Sequence, residues 1–315
     1  KDAARMGTGT NSKGNTMHQD IRDIIPADHV KYDEPMSLHT TFQIGGPADI
    51  LVIPSTAEEI INVLRYCREQ KLPLFVFGLG SNILVRDKGI RGVVMKLGQG
   101  LKTIRIQDRQ VYAEAGVQIA ELCRVVAREG LSGLEFAEGI PGSLGGAVVM
   151  NAGAYNGEMK DVLTSVRAVD LNGTRYDFDA EQLQLGYRSS ILQAGEYIVL
   201  SAALKLKPAD PEAIQATMRD YAQRRSDKQP LDLPSAGSTF KRPSGYFVGP
   251  LLEQLGLKGF QIGGAQVSTK HAGFIVNTGN ARAADVLDLI EHIQETARGS
   301  LGIDLHPEVK LVGEE

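Results

Sequence analysis

Between Glu138 and Glu158 the chain runs through "GIPGSLGGAVVMNAGAYNG" without a single charge. No other stretch restricts the fold as strongly. Its length approaches the ~20 apolar residues of a membrane-crossing helix. Its content does not, because six glycines, Pro141, Asn151 and Asn156 interrupt it. A lipid-facing helix must satisfy all its backbone hydrogen bonds internally, and this composition opposes that. The run therefore reads as glycine-rich backbone inside a globular protein. So many glycines cost folding entropy unless close backbone approach requires them. Bulges and bends are their other use.

A second glycine feature lies upstream in "FVFGLGSNILV", Phe75 to Val85. A dinucleotide fingerprint needs strand, G-x-G-x-x-G and helix, so that the helix start meets the pyrophosphate. Here the third glycine and the helix are both missing. Gly78, Leu79, Gly80, Ser81 and Asn82 form a loop between two apolar runs, which is either a tight strand connection or a phosphate loop. In the second case successive N–H groups form an anion nest, and Ser81 and Asn82 add donors. Two glycine-rich loops separated by a helix and a strand suggest a long ligand with a pyrophosphate and a planar ring system. A flavin dinucleotide fits that better than a mononucleotide.

The bulk properties narrow the class. A chain of 315 residues suggests two or three domains. Apolar content of 42% and charged content of 23% are those of a soluble globular protein. A formal charge of −4 gives no reason to expect nucleic acid or an anionic membrane. The six histidines show no ligand-type spacing, so no metal site is expected. Cys67 and Cys123 fall within helical patterns and read as reduced core thiols, pointing to the cytoplasm. No signal peptide is visible. Residues 1–16 lack periodicity and read as a disordered tail or a leader ahead of Met17.

"PSTAEEIINVLRYCREQK" reads as a helix, with Ser55 or Thr56 as cap and Glu58 or Glu59 closing a capping box. "LPLFVFG" and "RQVYAEAG" read as strands, and "NILVRDKGIRGVVMKLG" as short strands. "VQIAELCRVVAREG" is a helix ended by Gly130. "VLTSVRAVDLNGTRYDFD" is a hairpin turning at Asn172-Gly173. A long strand follows from Tyr197. Asp210-Pro211 opens a helix to about Arg225, with Ile214, Met218 and Tyr221 on one face. Then come a strand at "AGFIVN", a helix capped by Asn280, and a closing strand at "PEVKLVG".

Six motifs, "HTTFQIGGPAD", "FGLGSNILV", "EFAEGIPGSLGGAVVMNAGAYNGE", "YRSS", "PSAGSTFKRP" and "HPEVKLVG", occur in the order found in the UDP-N-acetylenolpyruvoylglucosamine reductase family. The resemblance spans about Tyr32 to Gly313. It implies an α+β protein with the FAD-binding fold of vanillyl-alcohol-oxidase (PCMH) type. Two subdomains, 21–95 and 96–207, would hold FAD. A smaller α+β substrate-binding domain, 208–315, would close over the substrate, with 1–20 as a tail. Little room after Tyr197 for an extra tyrosine-bearing loop points to the shorter subtype.

The family's reaction passes a hydride from NADPH to FAD and then to the vinyl carbon of an enolpyruvyl ether on a UDP-sugar. Charge then builds on the substrate carboxylate and the α-carbon takes a proton. Such a site needs donors at the carboxylate and an acid at the α-carbon. By resemblance Arg188 grips the carboxylate with its fixed fork, Ser238 delivers the proton, and Glu308 works with Arg188 in protonated form. Taken alone, these would read as a strand-edge arginine, a turn serine and a strand-start charge. Their motif context reverses that.

The resemblance places FAD, held non-covalently, on residues 78–82 and on the second loop. The residues there are Gly139, Ile140, Pro141, Gly142 and Ser143, then Gly145, Gly146, Ala147, Asn151, Gly153 and Ala154. Tyr187, Arg225 and Lys228 are substrate-side candidates. Lys241 and Arg242 are candidates for the diphosphate, although the longer subtype carries asparagine where Arg242 stands and Lys241 reads equally as an exposed lysine. His271 reads as an active-site neighbour or, more readily, as a strand-end polar residue, and no residue, His39 included, marks a covalent flavin attachment. No obligate protein partner is evident. The rivals are an alcohol or hydroxy-acid oxidase of the same fold and a nucleotide-binding protein without chemistry.

Overall fold

The structure is a computed structural model, and it describes residues 20–98 and 100–315. The expectation for residues 1–16 lies outside the described residues. Helix α1 (Ala57–Gln70) starts where the sequence indicates. Thr56 Oγ1 accepts the Glu59 N–H at 3.1 Å, and Glu59 reaches back to the Ser55 N–H at 2.6 Å. Its buried face, Ile60, Val63, Leu64 and Cys67, covers a four-stranded sheet. That sheet runs Val30–Pro35, Pro47–Val52, Ile90–Lys96, Leu74–Phe77. Its first pair is antiparallel and the other two are parallel.

A five-stranded antiparallel sheet follows, in the order Arg175–Asp179, Leu163–Asp170, Tyr197–Lys205, Gln110–Glu114, Ile104–Gln107. The hairpin turns where expected. Asp170 Oδ1 accepts the N–H groups of Asn172 and Thr174, and Gly173 takes φ +89°. The sheet carries α2 (Ile119–Arg128) and α3 (Leu144–Val149) in a shared core. Helix α3 lies inside the glycine-rich run, where the sequence pattern indicates no helix. Helix α4 (Pro211–Lys228), capped by Asp210, reaches one turn past Arg225 and packs Ile214 and Met218 into the same core. Only residues 206–210 separate it from the long strand.

The last lobe is an antiparallel sheet, Ser235–Ser238, Phe274–Asn277, Ala265–Val267, Gln261–Ile262. It is flanked by α5 (Val248–Gln254) and α6 (Ala283–Leu301). Asn280 does not cap α6. Arg282 is the cap position, and the Asp87 carboxylate accepts the N–H groups of Ala283 and Ala284 at 2.8 and 3.0 Å. An acid from the first lobe thus offsets the helix start of the last. The closing strand Lys310–Val312 pairs in parallel with Ile83–Val85 of the first lobe. The expected strand is there, with its partner across the lobes.

Both thiols are buried. Burial pushes Cys67 up to about 11 and Cys123 higher still, as core residues should behave. Among the described residues no helix is long and apolar enough to cross a membrane.

Candidate active site

The two glycine loops meet. Ser81 Oγ donates to the Pro141 carbonyl at 2.7 Å. A Cβ on Gly78 would lie 2.4 Å from Ser143 Oγ, so glycine lets the loops close this far while Ser143 keeps its capping rotamer. Gly80 has φ +69° and passes beneath the His39 carbonyl, again leaving no room for a Cβ. Ser143, almost wholly buried, caps α3 through the Gly146 N–H at 3.3 Å.

Between the loops lies open backbone. A Cβ at Gly142 would meet only Ser81 Oγ within 4 Å, and one at Gly146 only Ser143 Oγ. The N–H groups of Leu79, Gly80, Ser81, Gly142 and Ser143 find no acceptor among the described residues. A nest of free amides flanked by two hydroxyls is a cradle for an anionic diphosphate. The residues present therefore fit the pyrophosphate of FAD. Asn82 instead ties the loop to the C-terminal segment. Its amide donates to the Glu308 carbonyl at 3.3 Å and its backbone carbonyl accepts from Lys310 N.

Other residues of the second loop serve packing. Gly145 lies against Ala115 and gives its N–H to the Ala115 carbonyl. Ala147 is in the core and Ile140 packs on it. The Asn151 side chain is spent internally. It donates to Glu158 at 2.7 Å and to the Gly186 carbonyl at 2.9 Å, and accepts from Lys160 N. Gly153 and Ala154 pair with Gly157–Glu158 in a small hairpin. Gly139 lies over the Arg225 side chain.

The predicted acid and arginine are in contact. Arg188 Nε donates to Glu308 Oε1 at 2.9 Å, across 120 positions of sequence. Its Nη2 donates to the Gly153 carbonyl at 2.7 Å, so the guanidinium is fixed against the second loop. The Arg188 backbone sits at φ +50°, a left-handed conformation costing about 1–2 kcal/mol for a residue with a Cβ. Paired hydrogen bonds between Gly186 and Ser189 close that turn, and Gln193 Nε2 holds the Arg188 carbonyl at 2.8 Å. Burial raises the Glu308 carboxyl above its ordinary range, opposed by the charges of Arg188 and Lys241. An acid that keeps its proton to higher pH is what a donor at this position requires.

Ser238 ends the strand that runs beside this pair. Glu308 N donates to the Thr239 carbonyl at 2.8 Å, and Lys241 N to the His306 carbonyl at 2.8 Å. The Ser238 hydroxyl makes only a long contact, 3.4 Å to the Phe240 carbonyl. It opens on a cavity lined by Tyr187, Phe240, Arg242, Phe247 and His271. Arg242 lies over the Phe247 ring at 3.7 Å and donates from Nε to the Tyr246 carbonyl. Tyr187 bridges the two places: Arg188 lies over its ring at 5.2 Å, and its hydroxyl accepts from Arg242 N at 3.4 Å.

Two substrate-side candidates lie elsewhere. Arg225 is buried, with its Nε unpartnered, near the stacked rings of Tyr155 and Tyr221, and burial pushes it below the usual arginine range. Lys228 is exposed at the end of α4. His39 is held on both ring nitrogens, donating to Glu34 at 2.8 Å and accepting from Lys96 at 3.1 Å.

Residues 48–179 match the family described as FAD binding domain. Residues 229–312 match UDP-N-acetylenolpyruvoylglucosamine reductase, C-terminal domain. The UDP-N-acetylenolpyruvoylglucosamine reductase of Syntrophomonas wolfei is 57% identical over 299 residues, covering 95% of this chain and 100% of that protein. The chain belongs to the UDP-N-acetylenolpyruvoylglucosamine reductase family. The enzyme of that name from Caldanaerobacter subterraneus is 49% identical over 94% of this chain and 97% of its own length. The crystal structure of the Thermus caldophilus enzyme superimposes with TM-score 0.77 at 37% identity, covering 89% of this chain and 97% of that one. A Phl p 4 variant described as a glucose oxidase shares the fold over 61% of this chain and 44% of its own, with TM-score 0.50 at 16% identity. The fold is thus the FAD-binding fold of PCMH type joined to the family's C-terminal domain.

Local patterns give no hint of Phe247 or Gln193, and they leave His271 between an active-site neighbour and a strand-end residue; the structure sets it in the cavity wall. Arg225 carried a usable signal. It continues the spacing of Ile214, Met218 and Tyr221 along α4, which points it inward.

Proposed function

We propose that this chain is an FAD-dependent oxidoreductase that reduces the enolpyruvyl ether of UDP-N-acetylglucosamine to UDP-N-acetylmuramate. NADPH is the reductant, the setting is peptidoglycan precursor synthesis, and the location is the bacterial cytoplasm. One observation carries the reading: the 2.9 Å Arg188–Glu308 pair, beside the joined glycine loops, with Ser238 on the adjoining strand. An oxidase of the same fold has no use for that trio.

The flavin, when bound between residues 78–82 and 139–147, supplies the hydride it receives from NADPH. The protein handles the charge and the proton. Arg188 presents remaining guanidinium N–H groups to the substrate carboxylate, where negative charge grows as the vinyl carbon is reduced. Its anchoring to Gly153 and Glu308 means little reorganisation at that moment. In its protonated form, toward which burial shifts it, Glu308 does not repel the incoming carboxylate and adds a donor. Ser238 delivers a proton to the α-carbon, and its loosely held hydroxyl is free to turn. Tyr187 and Arg242 line the place for the nucleotide-sugar. We assign residues 20–207 and α4 to the flavin lobes and the rest to the substrate lobe.

The test uses FAD-loaded protein without oxygen. NADPH should bleach the flavin, and the enolpyruvyl UDP-sugar should restore its band in proportion. Bleaching by simple alcohols, with recovery only on admitting oxygen, would support the oxidase instead. Protein that takes up no FAD would support the non-enzymatic rival.

A further inference from the structure

One histidine beside the cradle takes no part in the mechanism. His39 lies just past strand Val30–Pro35, and its side chain is 9% exposed, so its ring has little access to water. Its Nε2 donates to Glu34 Oε1 at 2.8 Å, and its Nδ1 accepts from Lys96 Nζ at 3.1 Å. A ring that donates at one nitrogen and accepts at the other is neutral. The Lys96 ammonium, half-buried over the Phe77 ring, has no other hydrogen-bond acceptor among the described residues. The backbone of the same segment covers the first glycine loop. A Cβ on Gly80 would stand 2.3 Å from the His39 carbonyl oxygen and 3.0 Å from Thr40 Cα. Thr41 N donates to the Gly80 carbonyl at 3.1 Å, and Thr41 Oγ1 donates to the Ser235 carbonyl at 2.7 Å. Residues 39–41 therefore fix Gly80 from above and tie it to the strand that carries Ser238.

Charge decides when this arrangement holds. Glu34 and Lys31 act on the ring from strand Val30–Pro35, and Lys96 acts from strand Ile90–Lys96. Burial holds His39 below the usual histidine range; the bond to Glu34 opposes this, and the charges of Lys96 and Lys31 add to it. A proton on Nδ1 would remove the acceptor of Lys96 and set two cations side by side. The bridged form thus prefers the neutral ring. Its contribution is present above the ordinary histidine range and is lost as pH falls through the lowered value.

We propose that His39 is a positioning residue for FAD: as the neutral ring it bridges Lys96 to Glu34 and holds residues 39–41 against Gly80, and its protonation loosens the cradle. The proposal rests on the placement of FAD at residues 78–82 and adds a pH dependence to it. The test is release of FAD from the loaded protein on dilution, read as the gain of flavin fluorescence between pH 7.5 and pH 5.5. The Kd of the unaltered protein should rise about tenfold over that range, within the limit of tenfold per pH unit for one proton. His39→Gln has an amide oxygen for Lys96 and an NH2 for Glu34 but takes up no proton, so its Kd should hardly change with pH. Lys96→Met removes the second cation and should flatten the profile as well. His39→Leu, which can bridge nothing, should bind FAD weakly at both ends of the range. A flat profile in the unaltered protein would overturn the proposal, as would an equally steep one in His39→Gln or Lys96→Met. Gly142→Ala tests the cradle itself, because its methyl would enter the space between the loops with only Ser81 Oγ within 4 Å. It should weaken FAD binding at every pH; an unchanged affinity there would put the flavin elsewhere and remove the placement on which the proposal stands.

Discussion

Gly78→Ala tests whether the two glycine loops form one cradle. Gly78 does not have a positive φ, so alanine is conformationally acceptable there. The obstacle is steric: the new methyl would stand 2.4 Å from Ser143 Oγ, but 3.5 Å from Ser143 Cβ, an ordinary contact. Either Ser143 rotates and loses the Gly146 cap, or the loops separate and strain the 2.7 Å Ser81–Pro141 bond. Losing such a cap costs about 0.5–2 kcal/mol. A cost of one to two kcal/mol corresponds to about 5- to 30-fold in an equilibrium constant. FAD binding, followed by quenching of flavin fluorescence, should weaken by about that factor. Ser143→Ala should cost a similar amount by removing the cap. The double variant should then be no worse than Ser143→Ala alone, because the clashing atom is gone. Additive losses in this cycle would refute the claim that Gly78 matters through Ser143.

Three further outcomes are expected. Ser238→Ala should leave flavin reduction by NADPH intact and slow reoxidation by the enolpyruvyl substrate about 10²- to 10⁴-fold, as read by stopped-flow absorbance; equal slowing of both half-reactions would remove Ser238 from proton delivery. Glu308 has a folded-state pKa above its unfolded value, so its ionisation costs the folded protein stability as pH rises from the unfolded pKa through the folded one. Glu308→Gln should therefore melt at or above the unaltered protein at pH 7.5, with the difference shrinking toward pH 4, while reoxidation by substrate slows. Asp87→Ala frees two N–H groups at the start of α6 and should lower stability in urea by about 1–2 kcal/mol.

What local patterns revealed and what they hid differ for physical reasons. The α1 cap was legible because Thr56 and Glu59 act within one turn of each other. The Asn172-Gly173 turn was legible for the same reason. Helix α3 was hidden because Leu144, Gly145, Ala147 and Val148 are all buried, so the helix has no polar face to set a period. Asn280 misleads as a cap because the acid that caps α6, Asp87, lies 196 positions away. Arg188, Ser238 and Glu308 stand out by motif order, and no spacing in the sequence foretells the contact between Arg188 and Glu308. His271 owes its place to Gly249 and Gly273, whose meaning appears only once the ring lies between them.

The parallel pairing of Lys310–Val312 with Ile83–Val85 bears on how the molecule is born. A ribosome adding about 5–20 residues per second needs on the order of ten to fifty seconds between those two segments. Through that interval the early strand waits without a strand partner, a template for unwanted pairing. Glu308, just ahead of the late strand, arrives at Arg188 in the same closing event, so a nascent chain gains its acid only when its first lobe is sealed.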